Sequence, residues 1–388
     1  MKTVGTVLAT LLFLLALIGC QSQLSEESTT IGLLASNLEE SSIQAAHESA
    51  PETNMLSLEP VIPTDTCSSK PSSKQTESAE PLPEKTQPIG YSPIAPYDYQ
   101  ALLGKGMDVD WCKTAQGRAF YNETAVADFQ KAGVQHVRIR IKDNADEALL
   151  LKLDEQIADC LAHGIIPIIA YQANEFKNEP NQENIDKVVV WWTKVAERYQ
   201  DQSHLLAFDL LIEATDALNK QPEKLNEIYE QLVTAIRKTN PTRIIMMSPR
   251  LRSDAAYLSE LTLPTDHNEY MMAEWHFYAS GPSKTNERKL WTTGTDAEKQ
   301  LILEKINLAL KWQKDTGIPT WVGAWMPSNY NDGNDYTINE QIKFASFMTQ
   351  SLADAQIPFA VNSDTKFYDR ARNLWVSNMT PVLNAIYR

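Results

Sequence analysis

From about residue 96 to the C-terminus, short apolar runs of strand length alternate with longer amphipathic stretches. Eight of the runs have the length and composition of buried strands: LLGKGMDVDW, VQHVRIRI, IIPIIAYQ, LLAFDLLIE, RIIMMSP, YMMAEWHFYA, PTWVGAW and IPFAVNS. Helix-length segments such as NIDKVVVWWTKVAERYQ separate them. Several of these helices end at a glycine before a strand that contains proline, as in HGIIP and TGIPTW.

This alternation predicts an α/β fold, a single (β/α)8 TIM barrel over residues 96–388. Eight strand and helix units in about 290 residues match the usual length of that fold, which is about 250 residues. A doubly wound open sheet is the alternative, although no glycine-rich phosphate loop follows the first strand. In a barrel, chemistry belongs at the C-terminal ends of the strands.

Residues 1–20, MKTVGTVLATLLFLLALIGC, combine a positive charge, an apolar run too short to span a membrane and a small residue before Cys20. The segment resembles a bacterial lipoprotein signal peptide with the lipobox Leu17-Ile18-Gly19-Cys20; an ordinary cleaved signal peptide is the alternative. Lipidation of Cys20 would anchor the protein, and Gln21 after it implies the outer membrane, on the periplasmic or cell-surface side. Residues 21–95, rich in Ser, Thr, Glu and Pro, are predicted to be a disordered linker.

The net charge of -15, with 43% hydrophobic residues, indicates a soluble globular domain whose surface repels nucleic acid and anionic lipid. Neutral polymers remain suitable partners. Cys112 and Cys160 either pair as a disulfide or remain buried thiols. Because no cysteines or histidines have a metal-binding spacing, we expect neither a metal site nor a cofactor.

Ionisable residues occur at the ends of three predicted strands. Glu213 ends strand four, where partial desolvation would raise its pKa toward that of a general acid; a helix cap or a salt bridge is the alternative. Asp209 lies deeper in the same strand and suits an ion pair with an arginine. Arg138 and Arg140 share one face of strand two, where they would hold carboxylates or grip substrate hydroxyls.

Strand six carries Glu274, His276 and Tyr278 on one face. His276 and Tyr278 lie at the strand end, where they could hydrogen-bond a sugar or a second carboxylate. Glu274 lies one layer deeper and suits a buried partner of Arg138 or Arg140.

The stretches VRIR, FDLLIE, HFY and WVGAW, in this order, resemble four strands of glycoside hydrolase family 5, the cellulase-like barrels. The resemblance implies a glycosidase acting on a β-linked polysaccharide, with Glu213 as acid/base and with support from Arg138, His276 and Tyr278. Several positions depart from the pattern. Gln172 replaces a histidine, Ile212 an asparagine and Arg140 a proline, while Asn362 occupies the end of strand eight, where a tryptophan is expected.

The largest departure is Ala324, which stands where the family has its nucleophilic glutamate. A retaining mechanism needs two carboxyl groups about 5 Å apart. Two hypotheses follow. In the first, the barrel hydrolyses by an inverting route with a base at a spacing of about 6.5–9.5 Å, for which the candidates are Asp332, Asp335, Asp364 and Glu274. In the second, turnover is lost and the groove binds polysaccharide without cleaving it.

Aromatic side chains near strand ends would stack on pyranose rings in either case. The candidates are Trp111, Trp275, Trp291, Trp325, Tyr330, Tyr336, Phe367 and Tyr368. Trp111, Trp325, Tyr330, Gln172 and Asn362 are the predicted substrate-binding residues. Trp191 and Trp192 lie in a helical pattern and are predicted to belong to the core.

Overall fold

The computed structural model describes residues 92–266, 269–279, 290–328 and 336–388. Its central feature is a closed barrel of eight parallel strands that pair in chain order, with β1 closing on β8. The strands are β1 Lys105–Val109, β2 His136–Ile141, β3 Ile166–Tyr171, β4 Ala207–Asp209, β5 Ile245–Met247, β6 Met271–Tyr278, β7 Thr320–Met326 and β8 Phe359–Val361. The predicted (β/α)8 barrel is therefore confirmed.

Helices surround the barrel and connect its strands. They are α1 Pro96–Leu103, α2 Ala115–Ala119, α3 Glu123–Ala132, α4 Glu147–Ala162, α5 Asn174–Asn178, α6 Gln182–Arg198, α7 Pro222–Arg237, α8 Arg250–Ser253, α9 Asp296–Thr316, α10 Ile338–Asp354, α11 Asp364–Phe367 and α12 Thr380–Tyr387. Short 3-10 helices cover Asp216–Lys220, Ala255–Glu260 and Ser377–Met379, and a small antiparallel pair joins β9 Tyr368–Asp369 to β10 Leu374–Trp375. Thr295 and Thr337 form capping boxes that begin α9 and α10.

The first predicted strand begins later than the apolar pattern indicated. Leu102 and Leu103 belong to α1, which Pro96 begins and which stops at Gly104 with φ 54°. Only Lys105–Val109 is extended. The sequence pattern did not show that Leu102 and Leu103 belong to a helix, because two leucines before a glycine fit the periodicity of a helix and of a strand equally well.

Two apolar clusters lie on the two faces of the strands. The inner cluster fills the lower barrel with side chains that include Ile168, Met246, Met272 and Trp321. The outer cluster lies between the strands and the helices and includes Trp191 and Trp192, as predicted. The alternation of side chains along each strand therefore separates barrel filling from helix packing.

His136 fixes the bottom of the barrel. Its Nδ1 donates to the carbonyl of Leu103 at 2.7 Å, and its Nε2 accepts from Trp321 Nε1 at 3.0 Å. Burial lowers the pKa of His136 to about 4, so the ring is neutral and links α1 to β7.

A register shift in β7 determines which residue of β6 lies opposite Ala324. The pairing of β7 with β6 shifts between Trp275 and His276, so that Ala324 lies opposite His276. Such irregularities re-aim side chains next to active sites. Ala324 therefore lies beside His276, whereas Trp325 packs on the outer face.

Three further predictions can be compared with the structure. Cys112 and Cys160 are buried free thiols, so the disulfide alternative is wrong. Cys20 and the signal and linker predictions for residues 1–91 lie outside the described residues. Within the described part of the chain, no helix is both long enough and apolar enough to cross a membrane.

Candidate active site

Glu213 lies just beyond the C-terminal end of β4, with 18% of its side chain exposed. Its Oε1 is 3.0 Å from His276 Nδ1 and accepts from the Tyr278 hydroxyl at 3.4 Å. Its Oε2 accepts from Arg252 Nη1 at 3.3 Å. The positive φ of Glu213, 58°, is a strained conformation for a residue with a side chain, and such strain concentrates at functional sites. The structure thus brings together the predicted Glu213, His276 and Tyr278.

The charge state of Glu213 differs from the expectation. Burial raises the pKa of Glu213, but the hydrogen bond and charge of His276, with the charges of Arg252 and Lys177, bring it well below its usual value. The expectation of a raised pKa was wrong because three cationic groups outweigh desolvation. Glu213 is therefore a carboxylate in this state.

His276 lies between two carboxylates. Its Nδ1 faces Glu213, and its Nε2 hydrogen-bonds Glu274 Oε1. Burial lowers the pKa of His276, but the charges and hydrogen bonds of Glu274 and Glu213 raise it above the ordinary value. The two carboxylates thus favour the imidazolium form of the ring, in which both nitrogens donate.

Arg138 forms the centre of a buried ion network one layer below. Its Nε and Nη2 donate to Asp108 at 2.8 and 2.7 Å, and its Nη1 donates to Asp209 at 3.1 Å and to Glu274 at 2.7 Å. These four side chains are at most 1% exposed. The predicted ion pairs of Asp209 and Glu274 with an arginine are confirmed. Arg138 therefore influences the site through other side chains rather than by contact with a ligand.

Arg140 and Asn362 form a second polar group beside the first. Arg140 pairs with Asp110 at 2.6 Å and donates to Asn362 Oδ1 at 2.8 Å. Asn362 Nδ2 in turn reaches the Tyr278 hydroxyl at 3.3 Å. Burial, followed by the charge of Glu213, raises the pKa of Tyr278 well above its usual value, so that it remains a hydroxyl donor.

Two candidate bases have no surface from which to activate water. Glu274 is fully buried in its ion pairs. Asp364 is also fully buried, accepts from the Asp110 amide at 3.0 Å, and has its pKa raised by burial to about 6. The assignment of Glu274 and Asp364 as possible bases was wrong, because both carboxylates are buried and bonded to other protein groups. Asp332 and Asp335 lie outside the described residues.

Ala324 is fully buried beside His276. Its methyl group presents neither a charge nor a hydrogen-bonding atom. Among the described residues, Glu213 is the carboxylate that contacts both His276 and Tyr278 and keeps exposed surface.

The predicted aromatic platforms belong to the core. Trp111 has no exposed surface and packs against Tyr121 and Phe129, and Trp325 is equally buried between Phe344 and Phe359. The prediction failed because proximity to a strand end does not say which face a side chain takes. The other described candidates are buried too, with at most 5% exposed: Trp275, Trp291, Tyr336, Phe367 and Tyr368. Tyr330 lies outside the described residues.

The remaining rim contains predicted and unexpected residues. Gln172, half-buried after β3, accepts from Lys177 Nζ at 3.1 Å, and Lys177 also donates to the carbonyl of Ile212 at 3.1 Å. Sequence reasoning missed both Lys177 and Arg252. The stretch SPRLRSD directly after β5 was the available signal for Arg252. No cluster suited to a metal ion occurs in the parts of the chain that the structure describes.

The sequence model of the cellulase family, glycosyl hydrolase family 5, matches residues 98–364. Endoglucanase H of Acetivibrio thermocellus is 23% identical over 317 residues, which are 76% of this chain and 34% of that protein. Cellodextrinase A of Ruminococcus flavefaciens is 26% identical over 192 residues, 45% of this chain and 55% of that protein. The chain thus spans only about a third to a half of these relatives.

Solved structures share the fold. Endoglucanase Cel5A from Thermotoga maritima superposes with a TM-score of 0.65 at 22% identity, covering 76% of this chain and 100% of that one. At this identity the likeness extends to the barrel alone.

Proposed function

The chain belongs to the cellulase family, glycosyl hydrolase family 5, and from that premise we propose that its barrel hydrolyses a β-linked glucan. The family match and the similarity to an endoglucanase and a cellodextrinase support a β-glucan as the substrate class. The bound partner would be a polysaccharide or an oligosaccharide lying across the C-terminal ends of the strands.

The observation that carries this proposal is the placement of Glu213. It is part of a group in which the His276 and Tyr278 side chains converge on the same oxygen, Oε1, at 3.0 and 3.4 Å. Both of those side chains are nearly buried, whereas Glu213 retains exposed surface through which it can meet a glycosidic oxygen. A positioned carboxyl group of this kind is what proton transfer to a leaving sugar requires.

The reaction we propose is inverting. Glu213 transfers a proton to the departing oxygen, and a water molecule attacks the anomeric carbon directly, because Ala324 cannot form a covalent intermediate. The carboxylate that activates this water would come from the loop after β7, from Asp332 or Asp335. Because Glu213 is ionised in the free site, its acid role requires protonation before or during substrate binding, which favours turnover at low pH.

The test is replacement of Glu213 by Gln, which keeps size and removes the proton. We expect E213Q to lose hydrolysis of a soluble β-glucan by at least about 100-fold, the scale of general acid catalysis, while still binding the polymer. The matched control is E260Q, which removes an ion pair with Arg250 away from the site. Unchanged turnover in E213Q would reject its role as acid.

Binding without cleavage is the second candidate function, and two observations favour it. Position 324 carries a methyl group, and Glu213 is held as a carboxylate. Under this alternative, wild-type protein and E213Q retain glucans equally, and neither releases reducing ends.

We also propose that the protein is a bacterial outer-membrane lipoprotein, anchored through lipid on Cys20 and facing the periplasm or the cell surface. The support is the sequence ending Leu17-Ile18-Gly19-Cys20 after an apolar run. Residues 21–95 would then act as a linker that holds the barrel away from the membrane.

A further inference from the structure

One strand of the site, β7, carries Ala324, and the adjacent strand β6 holds a buried carboxylate. Glu274 lies on β6 two residues before His276, is fully buried, and bonds both Arg138 Nη1 at 2.7 Å and His276 Nε2. A side chain at Gly323 would bring its Cβ to 2.3 Å from Glu274 Oε1. Glu274 therefore fills the space directly behind the segment of β7 that carries Ala324.

We propose that Glu274 supplies from β6 the negative charge that position 324 of β7 lacks, and that it acts as a positioning residue holding His276 as an imidazolium aimed at Glu213. The inference concerns the same site and so rests on the proposed function for its biological meaning. Its test reads protonation directly and does not depend on turnover.

The contacts of Glu274 explain how it keeps its charge in the interior. Arg138 and His276 both bond its Oε1. Among the described residues, the buried atoms Glu274 Oε2 and Asp209 Oδ1 have no hydrogen-bond donor facing them. Burial and the charge of Glu274 raise the pKa of Asp209 well above its usual value. A protonated Asp209 donating to Glu274 Oε2 satisfies both atoms and leaves Glu274 ionised.

Of the ionisable groups around His276, only Glu274 and Glu213, among the described residues, stabilise the doubly protonated ring. Arg138 Nη1 lies 3.5 Å from its Nε2 and opposes that proton. Tyr278 on the same strand is neutral. Asp254 pairs through its backbone with His276, but its carboxylate bonds Lys305. Arg252 reaches Glu213 rather than the ring.

A carboxylate at position 324 of β7 could supply the same negative charge as Glu274. Ala324 is the register partner of His276 across β6 and β7, so a carboxylate there would lie beside the same ring. Glu213 and Glu274 already place two carboxylates against the ring. A carboxylate at 324 together with Glu274 would put three negative charges around one ring, and like charges at this range oppose ionisation.

The first experiment labels the histidines of the full chain with 15N and follows the ring resonances against pH. H276Q identifies the His276 signal by its disappearance. We expect both ring nitrogens of His276 to carry protons at pH 7.5, well above the ordinary midpoint of about 6.5. A neutral His276 ring at pH 7.5 in the wild-type protein would overturn the proposal without any variant.

The second experiment removes the negative charge of Glu274. E274Q should lower the His276 midpoint by about 1–3 units, the usual influence of an adjacent opposite charge. The matched control is D108N, which removes another buried partner of Arg138, on the Nε edge, and should leave that midpoint in place. Equal shifts in E274Q and D108N would show a general effect of the network and overturn the specific role.

The double variant A324E/E274Q returns the carboxylate to β7. We expect it to raise the His276 midpoint by about 1 unit or more over E274Q. A midpoint that stays at the E274Q value would contradict the claim that Glu274 substitutes for a charge at 324.

Discussion

At the scale of single residues, the chemistry of Glu213 depends on groups distant in the chain. The carboxylate itself is recognisable from the run FDLLIE, because an acidic residue at the end of a buried strand is conspicuous. Its ionisation depends on His276, 63 residues further on, on Arg252, 39 residues further on, and on Lys177, which precedes it. A strand pattern contains no information on which distant cations will face the carboxylate, and so the direction of the pKa shift could not be predicted.

Arg252 is set in an unusual backbone. Leu251, Arg252 and Ser253 all have positive φ, between 54° and 61°. The Arg252 amide donates to the carbonyl of Ala214 at 2.9 Å, which ties this turn to the segment after Glu213. Strained residues of this kind persist only where the surroundings determine them. The turn therefore holds Arg252 in place for its contact with Glu213.

Replacing Arg252 by Gln should raise the pKa of Glu213, because one of the cations that favour the carboxylate is removed. If hydrolysis needs protonated Glu213, its rate decreases as pH rises through the pKa of Glu213. In R252Q this decrease should therefore occur at a pH about 1 unit higher than in the wild-type protein. The pH profile of hydrolysis measures this shift, with R250Q as the neighbouring control that breaks the Arg250–Glu260 pair. A profile that moves to lower pH in R252Q would contradict this assignment.

At the scale of elements, regular periodicity could be predicted and local irregularity could not. All eight strands occur where apolar runs predicted them. The faces of Trp111 and Trp325 could not be read in the same way. Trp111 follows the end of β1, and Trp325 follows the register shift in β7, so the simple alternation that assigns a face does not extend to either. The polar site residues on β2 and β6 were placed correctly because those strands remain regular up to them.

His136 gives the barrel bottom a pH dependence. Its pKa is about 4 in the folded protein, against about 6.5 unfolded, so between these values the unfolded state binds more protons. His136 therefore favours folding above pH 6.5, and this contribution, about 3 kcal/mol, is lost as pH falls to 4.

H136Q should accordingly lose part of the acid sensitivity, since Gln can still meet Leu103 and Trp321 without binding a proton. Denaturant unfolding of both proteins at pH 7 and pH 4 measures the difference. The free energy of unfolding should fall less in H136Q than in the wild-type protein. Parallel losses in the two proteins would indicate that His136 remains neutral during acid unfolding.

At the scale of the whole molecule, a barrel follows a signal-like segment and a polar stretch of composition unlike its own. The barrel could be predicted because each of its repeating units shows an apolar run of strand length and an amphipathic stretch of helix length. The approach of side chains from segments that are not adjacent in the chain, such as Lys177 of α5 and Arg252 of α8, results from closure of the barrel and has no local sequence pattern.

Replacing Cys20 by Ser tests the proposed anchor. The proposed lipid would be attached to the thiol of Cys20, so C20S should move the protein from the membrane fraction to the soluble fraction. Fractionation of cells that express each form, followed by immunoblotting, measures the distribution. Retention of C20S in the membrane at the wild-type level would argue against lipidation at this residue.

The central claim is that this barrel hydrolyses a β-glucan through Glu213 without a covalent intermediate on β7. The most direct measurement follows the anomeric form of the first product by NMR as the full chain acts on a soluble β-glucan. We expect the α-anomer to appear first, because water attacks opposite the departing oxygen. First appearance of the β-anomer would show retention and contradict the account, and binding with no product at any pH would establish the protein as a non-hydrolytic glucan-binding member of the family.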